Sequence, residues 1–261
     1  MRWSLLEKIV WRLFLVSLVL LGVFYFQKGR LPEVHGISSE AVDGPTQTEL
    51  GASEVIEVSH GGFKYKIIPK YQYEMSGLVV SQHDSRSWYD LYHKNDPYNT
   101  KDLCLMWGDN LASGVYKKMK YAHGDWTCWF SFKRGVESSW YGEFSMSEAS
   151  NNHLLPSSEE IGDTIRSVSV GDQVRMSGYL VDYTVSAAEG QALTRSTSTV
   201  RTDVGNGACE VVYVTDIEVI ARGNSFYNSA YQVTKYVSLI VLGLAVLMIF
   251  TVSPVEKRRY Y

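Results

Sequence analysis

Three cysteines and six histidines hold much of the reactive chemistry available to this 261-residue chain. Cys209, in the run Asn206-Gly207-Ala208-Cys209-Glu210, is one candidate nucleophile. A cysteine in that role needs a base to take its proton and a polar group to orient the base. His153 would be the base, with Asn151 or Asn152 beside it as orienter, or with Asp203 brought in by the fold. Such a set suits a hydrolase or transferase acting on a thioester, an amide or a peptidoglycan cross-bridge. The plainer reading makes Cys209 a core or disulfide cysteine. It opens a strand-like run instead of sitting at a helix N-terminus, where a thiol is activated.

Metal chemistry is not suggested by spacing. His35, His60, His83, His93, His123 and His153 form no H-x-H or H-x-x-x-H pair, and there is no C-x-x-C. A site of three or four ligands therefore has no sequence support. Neither a phosphate-binding G-x-x-x-x-G-K-[ST] loop nor a strand-linked G-x-G-x-x-G occurs, so no cofactor is expected.

Two polar clusters are candidate binding corners. Ser150-Asn151-Asn152-His153 reads either as a turn whose amides satisfy nearby backbone or as a recognition corner carrying a titratable ring. Arg201, Asp203 and Asn206 form a second cluster in a Gly-rich turn. Aromatic residues add a third surface. Trp126 and Trp129 fall on opposite faces of one strand-like run, so one of them, with Trp129 the candidate, lies at a surface or interface.

The elements that must hold these residues begin and end in lipid. Residues 9–26 carry one charge, Arg12, and residues 236–252 carry none. Each is long enough to cross the hydrocarbon core as a helix, and Ser253-Pro254 ends the second. The first run closes on Phe24-Tyr25-Phe26-Gln27-Lys28, without the small residues of a cleavage site, and reads as an uncleaved signal anchor. Arg2, Lys8 and Arg12 flank one span, and Lys257, Arg258 and Arg259 flank the other. Both tails, 1–8 and 253–261, are thus expected in the cytoplasm and the middle outside it. Without the six basic and two acidic residues of these ends, residues 28–253 keep 19 basic and 26 acidic groups, a net of −7. A polyanion is repelled by that sign, so nucleic acid is excluded as a partner.

Between the spans, residues 27–62 mix Pro, Gly, Ser and Thr without a period and read as a stalk. Residues 63–222 read as the folded domain and 223–235 as a second linker. Period-two alternation marks strands at 63–67, 73–81, 103–107, 126–132, 172–185 and 209–221. One helix follows Pro156, where Ser157 and Glu160 form an S-x-x-E capping box. A helical turn around 111–119 is the other. Gly178 interrupts its strand and marks a bulge or tight bend. The expected fold is a mainly β domain, a small barrel or sandwich with an OB-like barrel as one option, carrying one or two short helices between two transmembrane helices. Residues 184–207 read as a long polar excursion.

Outside the cytoplasm a cysteine pair oxidises. Cys104 with Cys128 is the expected disulfide, and Cys209 with either of them is the alternative.

The segments KDLCLMWGDN (101–110), SNNHLLP (150–156), GDQVRMSGYLVDY (171–183) and RTDVGNGACEVVYV (201–214) resemble a group of membrane-anchored bacterial envelope proteins. Its marks are D-L-C-x-x-W-G, S-N-N-H-L and G-D-x-V-x-x-x-G-x-L-V, spread over residues 63–221. The resemblance implies a bacterial envelope location, and with the orientation read from the flanking charges the spans are expected in the inner membrane and the domain in the periplasm. It brings no assigned activity, so no catalytic residue carries over. The leading expectation is therefore a non-enzymatic module that binds an envelope protein or glycan, of unknown oligomeric state. The alternative is the Cys209–His153 hydrolase or transferase.

Overall fold

The computed structural model describes residues 5–87, 90–187, 192–205 and 207–251. In chain order its elements are α1 (Leu5–Lys28), β1 (Thr46–Glu49), β2 (Ile56–His60), β3 (Phe63–Asp84), β4 (Lys101–Met106), α2 (Asp109–Ala112), β5 (Met119–His123), β6 (Cys128–Phe132), β7 (Ala149–Pro156), α3 (Glu159–Ser167), β8 (Gln173–Ala187), β9 (Leu193–Arg195), β10 (Glu210–Ala221) and α4 (Ser225–Thr251). Short 3-10 turns fill several of the connections. Two units result, one formed by α1 with α4 and one by Leu31–Gly223.

Both α1 and α4 are long and apolar enough to span a membrane. They pair antiparallel, with Phe24 edge-on to Phe226 at one end and Trp11 near Ala245 towards the other. Residues 225–235, expected as a linker, are instead the first turns of α4. The reason is a belt of rings: Tyr25 meets Tyr231, and the Lys28 ammonium lies 4.0 Å from the Tyr231 ring centre. Arg2 and the C-terminal tail, with Pro254 and its basic cluster, lie outside the described residues, while Lys8 and Arg12 are in α1.

Five strands of the other unit close on themselves. Antiparallel pairs join β3 to β4, β4 to β7, β10 to β8 and β8 back to β3, while β7 and β10 run parallel. With α3 inserted between its third and fourth strands, this is the order of an OB-like barrel. Leu103, Leu105, Leu154, Val174, Met176, Leu180, Val212 and Val214 fill its interior. On β4 and β8 their alternation is the period that the sequence shows, whereas on β10 the interior takes Val212 and Val214 and leaves Val211 and Tyr213 to a second cluster. Closing so few strands demands a sharp bend, and Gly178 supplies it. A Cβ there would sit 2.0 Å from the Tyr213 carbonyl oxygen, and the β8–β10 register slips just beyond it, between Val214 and Asp216.

The helix α3 plugs one end of the barrel with Ile161, Ile165 and Val168. Its cap is Ser158, whose Oγ accepts the Ile161 N–H, one residue beyond the Ser157 box that the sequence suggests. At its other end the buried Lys101 ammonium donates to the Arg166 and Val168 carbonyls at 3.1 and 2.6 Å. A cation there complements the helix C-terminus.

Two stretches differ from expectation. The runs 63–67 and 73–81 are one strand, β3, whose pairing with β8 slips between Pro69 and Tyr71. Proline has no N–H to give a ladder, and a register slip accommodates it. Residues 31–60 are no free stalk: β1 and β2 pair with β3, and the Ser38 N–H donates to Gln173 Oε1 at 2.6 Å. Their partner edge is far away in the chain, so no local period reveals it.

Candidate functional site

Strand register puts the reactive residues in rows across the outer face of the barrel. His83 of β3 pairs with Asp102 of β4, Asp102 with His153 of β7, and His153 with Val211 of β10. In the next row Ser81 pairs with Cys104 and Cys104 with Asn151. Cys209 stands immediately before β10, two residues from Val211. The Ser150–His153 corner is therefore part of a strand and not a turn.

Cys104 and Cys128 form a disulfide, their Cα atoms 6.2 Å apart. It clips the β5–β6 hairpin over this face and brings Trp126 and Trp129 with it. Cys209 is left as the free thiol.

The polar residues of the rows are nearly all buried and form one network. Asp102 Oδ1 lies 2.8 Å from His153 Nδ1, an ion pair by distance whose ring N–H is angled off the line. Burial works against both charges, but each partner stabilises the other. The Asp102 carboxyl is held below its usual range, opposed by burial and supported by His153. Burial lowers His153, yet the neighbouring Asp102 carboxylate outweighs it and raises the ring to about 10. Asn99 Nδ2 donates to Asp102 Oδ1 and meets His93 Nε2, both at 3.0 Å. Beyond it, His93 Nδ1 and His83 Nε2 each lie 2.6 Å from Asp90 Oδ2. His123, beside Ser81, is pushed down to about 4 by burial.

His83, Asp90 and His93 place one ligand atom each within 4.8 Å of one another, all buried. Two imidazoles and a carboxylate are a donor set that accepts a divalent metal such as zinc. The same atoms also satisfy each other by hydrogen bonds, so the cluster is complete without an ion. Its spacing matches no histidine motif because the loop at 85–100, not a helix, folds two of its members against β3.

A cavity of about 640 Å³ opens above the network. Trp126, Trp129, Asn151, His153, Arg195 and Cys209 are among its walls. The Arg195 guanidinium carbon lies 3.5 Å from the Trp126 ring centre, and His93 stacks on the same indole at 4.0 Å. Asn151 is 4 % exposed; its amide donates to the Trp126 carbonyl at 3.1 Å while its Oδ1 has no partner.

Comparison with known proteins assigns no family. No family model matches the chain, and neither a curated protein nor a solved structure matches it.

Cys209, His153 and Asn151 thus meet at one wall, but the carboxylate at His153 belongs to Asp102 and not to Asp203. Asp203 also borders the cavity, where it accepts the Ser198 hydroxyl at 2.6 Å. Asn152 points the other way, fully buried, and donates to the Leu103 carbonyl and the Ser150 hydroxyl. Arg201 pairs with the buried Glu210 at 2.5 Å and is held as a strut. Asn206 lies outside the described residues. Trp129 is 55 % exposed at the cavity mouth. Asp102 was legible in one respect: it shares strand parity with Cys104, on the face opposite Leu103 and Leu105.

Proposed function

We propose that this chain is a two-span bacterial envelope protein whose β-rich domain lies in the periplasm and binds a glycan segment in the cavity beside Trp126 and Trp129. One observation carries the reading: a cavity of about 640 Å³, walled by two indoles and Arg195, on the outer face of β7 beside the start of β10. Its size is that of a small-ligand site. In OB-like barrels the face of the second and third strands, with the adjoining loops, holds oligonucleotides or oligosaccharides; here the third strand, β7, and the connection between β8 and β10 supply the walls through Asn151, His153, Arg195 and Cys209. The net charge of −7 between the spans disfavours the first class and leaves the second. The exposed Trp129 indole offers a flat apolar surface to a sugar ring, Trp126 is a wall already stacked between Arg195 and His93, and Arg195 and Asn151 offer hydrogen bonds to the sugar hydroxyls. The disulfide and the basic residues flanking both spans support the periplasmic side.

Tryptophan fluorescence of the full chain in detergent, titrated with soluble peptidoglycan fragments, tests the proposal. Saturable quenching that is lost in Trp129→Ala is the expected outcome. The same response in wild type and in the variant, or none in either, overturns it.

A further inference from the structure

The wall of this cavity holds more than a binding site requires. Burying a carboxylate and an imidazolium costs solvation that a hydrophobic pair would not. The chain nevertheless buries Asp102 and His153 side by side, 1 % and 6 % exposed, and leaves a free thiol on the same cavity wall. A glycan cradle gains nothing from that arrangement. We propose that Cys209, His153 and Asp102 form a nucleophilic triad that accepts an acyl group from an ester or amide bound in the cavity.

Each member has a place for its role. Cys209 is half-buried and borders the cavity, so its sulfur is open to a substrate. His153 borders the same cavity, its parallel partner Val211 two residues from Cys209, and pairs with Asp102 at 2.8 Å. Asp102 is in turn fixed by Asn99 Nδ2 at 3.0 Å, and the β4–β7 ladder fixes both backbones. Two further groups point to a bound polar substrate. Asn151, with Nδ2 4.0 Å from the Cys209 sulfur, offers an unpartnered, buried Oδ1 at the same wall. Arg195, whose buried Nε has no partner, brings a positive charge for the oxyanion.

The reaction balances with water or a second acceptor alone. The Cys209 thiolate attacks the carbonyl carbon, and its electrons move to the oxygen. As the tetrahedral centre collapses, the C–O or C–N bond breaks and the leaving oxygen or nitrogen takes the proton of the His153 imidazolium. The acyl group is now a thioester on Cys209. Neutral His153 then removes a proton from water, or from an acceptor hydroxyl or amine, as that atom attacks the thioester. The thiolate leaves and the imidazolium is restored. Atoms and charges close on hydrolysis or transfer with no oxidant.

This inference rests on the same cavity but not on its ligand being a glycan. The full chain in detergent is mixed with p-nitrophenyl acetate as the simplest activated ester. A p-nitrophenolate burst and an acetyl group mapped to Cys209 by mass spectrometry are expected, at a rate about 100-fold above that of N-acetylcysteine at the same pH. Cys209→Ser, a near-isosteric change at a half-buried position, loses the burst. His153→Gln slows it by a similar factor, and the folding of each variant is checked by circular dichroism. If His153→Gln is unfolded, Asn99→Ala, which leaves the triad itself in place, takes its role, with a slower burst expected. Acetylation of Cys209 no faster than of N-acetylcysteine, or at the wild-type rate in a folded variant at position 153 or 99, overturns the triad. Titrating the same preparation with peptidoglycan fragments separates the two ideas. Quenching without a burst removes only the triad, and a burst without quenching removes only the glycan.

Discussion

His153 and Asp102 share a site that water scarcely reaches, so their pairing makes stability depend on pH in a definite direction. The folded ring titrates at about 10, above its ordinary 6.5. Its contribution is therefore complete below pH ~6.5 and is lost as the pH climbs towards about 10. In urea unfolding, the stability gap between wild type and His153→Gln is expected to narrow across that window; a gap that stays constant contradicts the pair. His123 acts on the acid side. Its folded value of about 4 means that the unfolded chain takes up the proton first, so stability falls as the pH drops from about 6.5 towards 4. Glu210, 3 % exposed, is raised by burial, with Arg201 opposing. Removing that partner in Arg201→Ala leaves a buried carboxylate alone. A loss of about 3–5 kcal/mol is expected, partly recovered by adding Glu210→Gln. Equal stability of the single and double variants in denaturant titration counts against it.

Two devices carry the site at the level of elements. The Cys104–Cys128 bridge closes a separation of 24 residues and holds the β5–β6 hairpin against β4. Breaking it with Cys128→Ser is expected to cost about 3 kcal/mol on the chain-entropy view, or roughly 10 °C in melting temperature for a domain of this size. Because Trp126 and Trp129 ride on that hairpin, ligand quenching should weaken together with the melting temperature. A variant that loses neither shows that the hairpin stands without its clip. Gly178 is the second device. With a Cβ 2.0 Å from the Tyr213 oxygen, Gly178→Ala cannot keep the β8–β10 register, and a loss of about 3 kcal/mol or more follows. Thermal unfolding by circular dichroism measures it.

At the scale of the molecule, antiparallel pairing of α1 and α4 puts Leu5 and Thr251 at the same end of the helix pair. If both helices span, both tails lie on one side of the membrane and residues 31–223 on the other. Cysteines placed by Ser59→Cys in the domain and after Tyr261 should then react oppositely with an impermeant maleimide in intact spheroplasts. In a Cys209→Ser background, which removes the free thiol of the domain, Ser59→Cys is labelled and the tail is protected. The reverse pattern sinks the periplasmic placement and, with it, the argument from oxidation and the glycan.

The sequence by itself determined the features whose causes are local. Two apolar runs, one with the single charge Arg12, specify helices long enough to cross a membrane, and alternation at 103–107, 172–185 and 209–221 specifies strands. The Cys104–Cys128 pairing was one of its open choices. Gly178 announced a bend by interrupting its strand. Tertiary structure decided what depends on which distant backbone a strand meets. β3–β8 closure made the barrel and drew residues 31–60 into it. The register of β4 on β7 gave His153 to Asp102 instead of Asp203. The fold of the 85–100 loop gathered His83, Asp90 and His93, which no spacing rule joins. The physical reason is the same each time: periodicity reports which face a residue takes, while the neighbour on that face is chosen by hydrogen bonds between segments far apart in the chain.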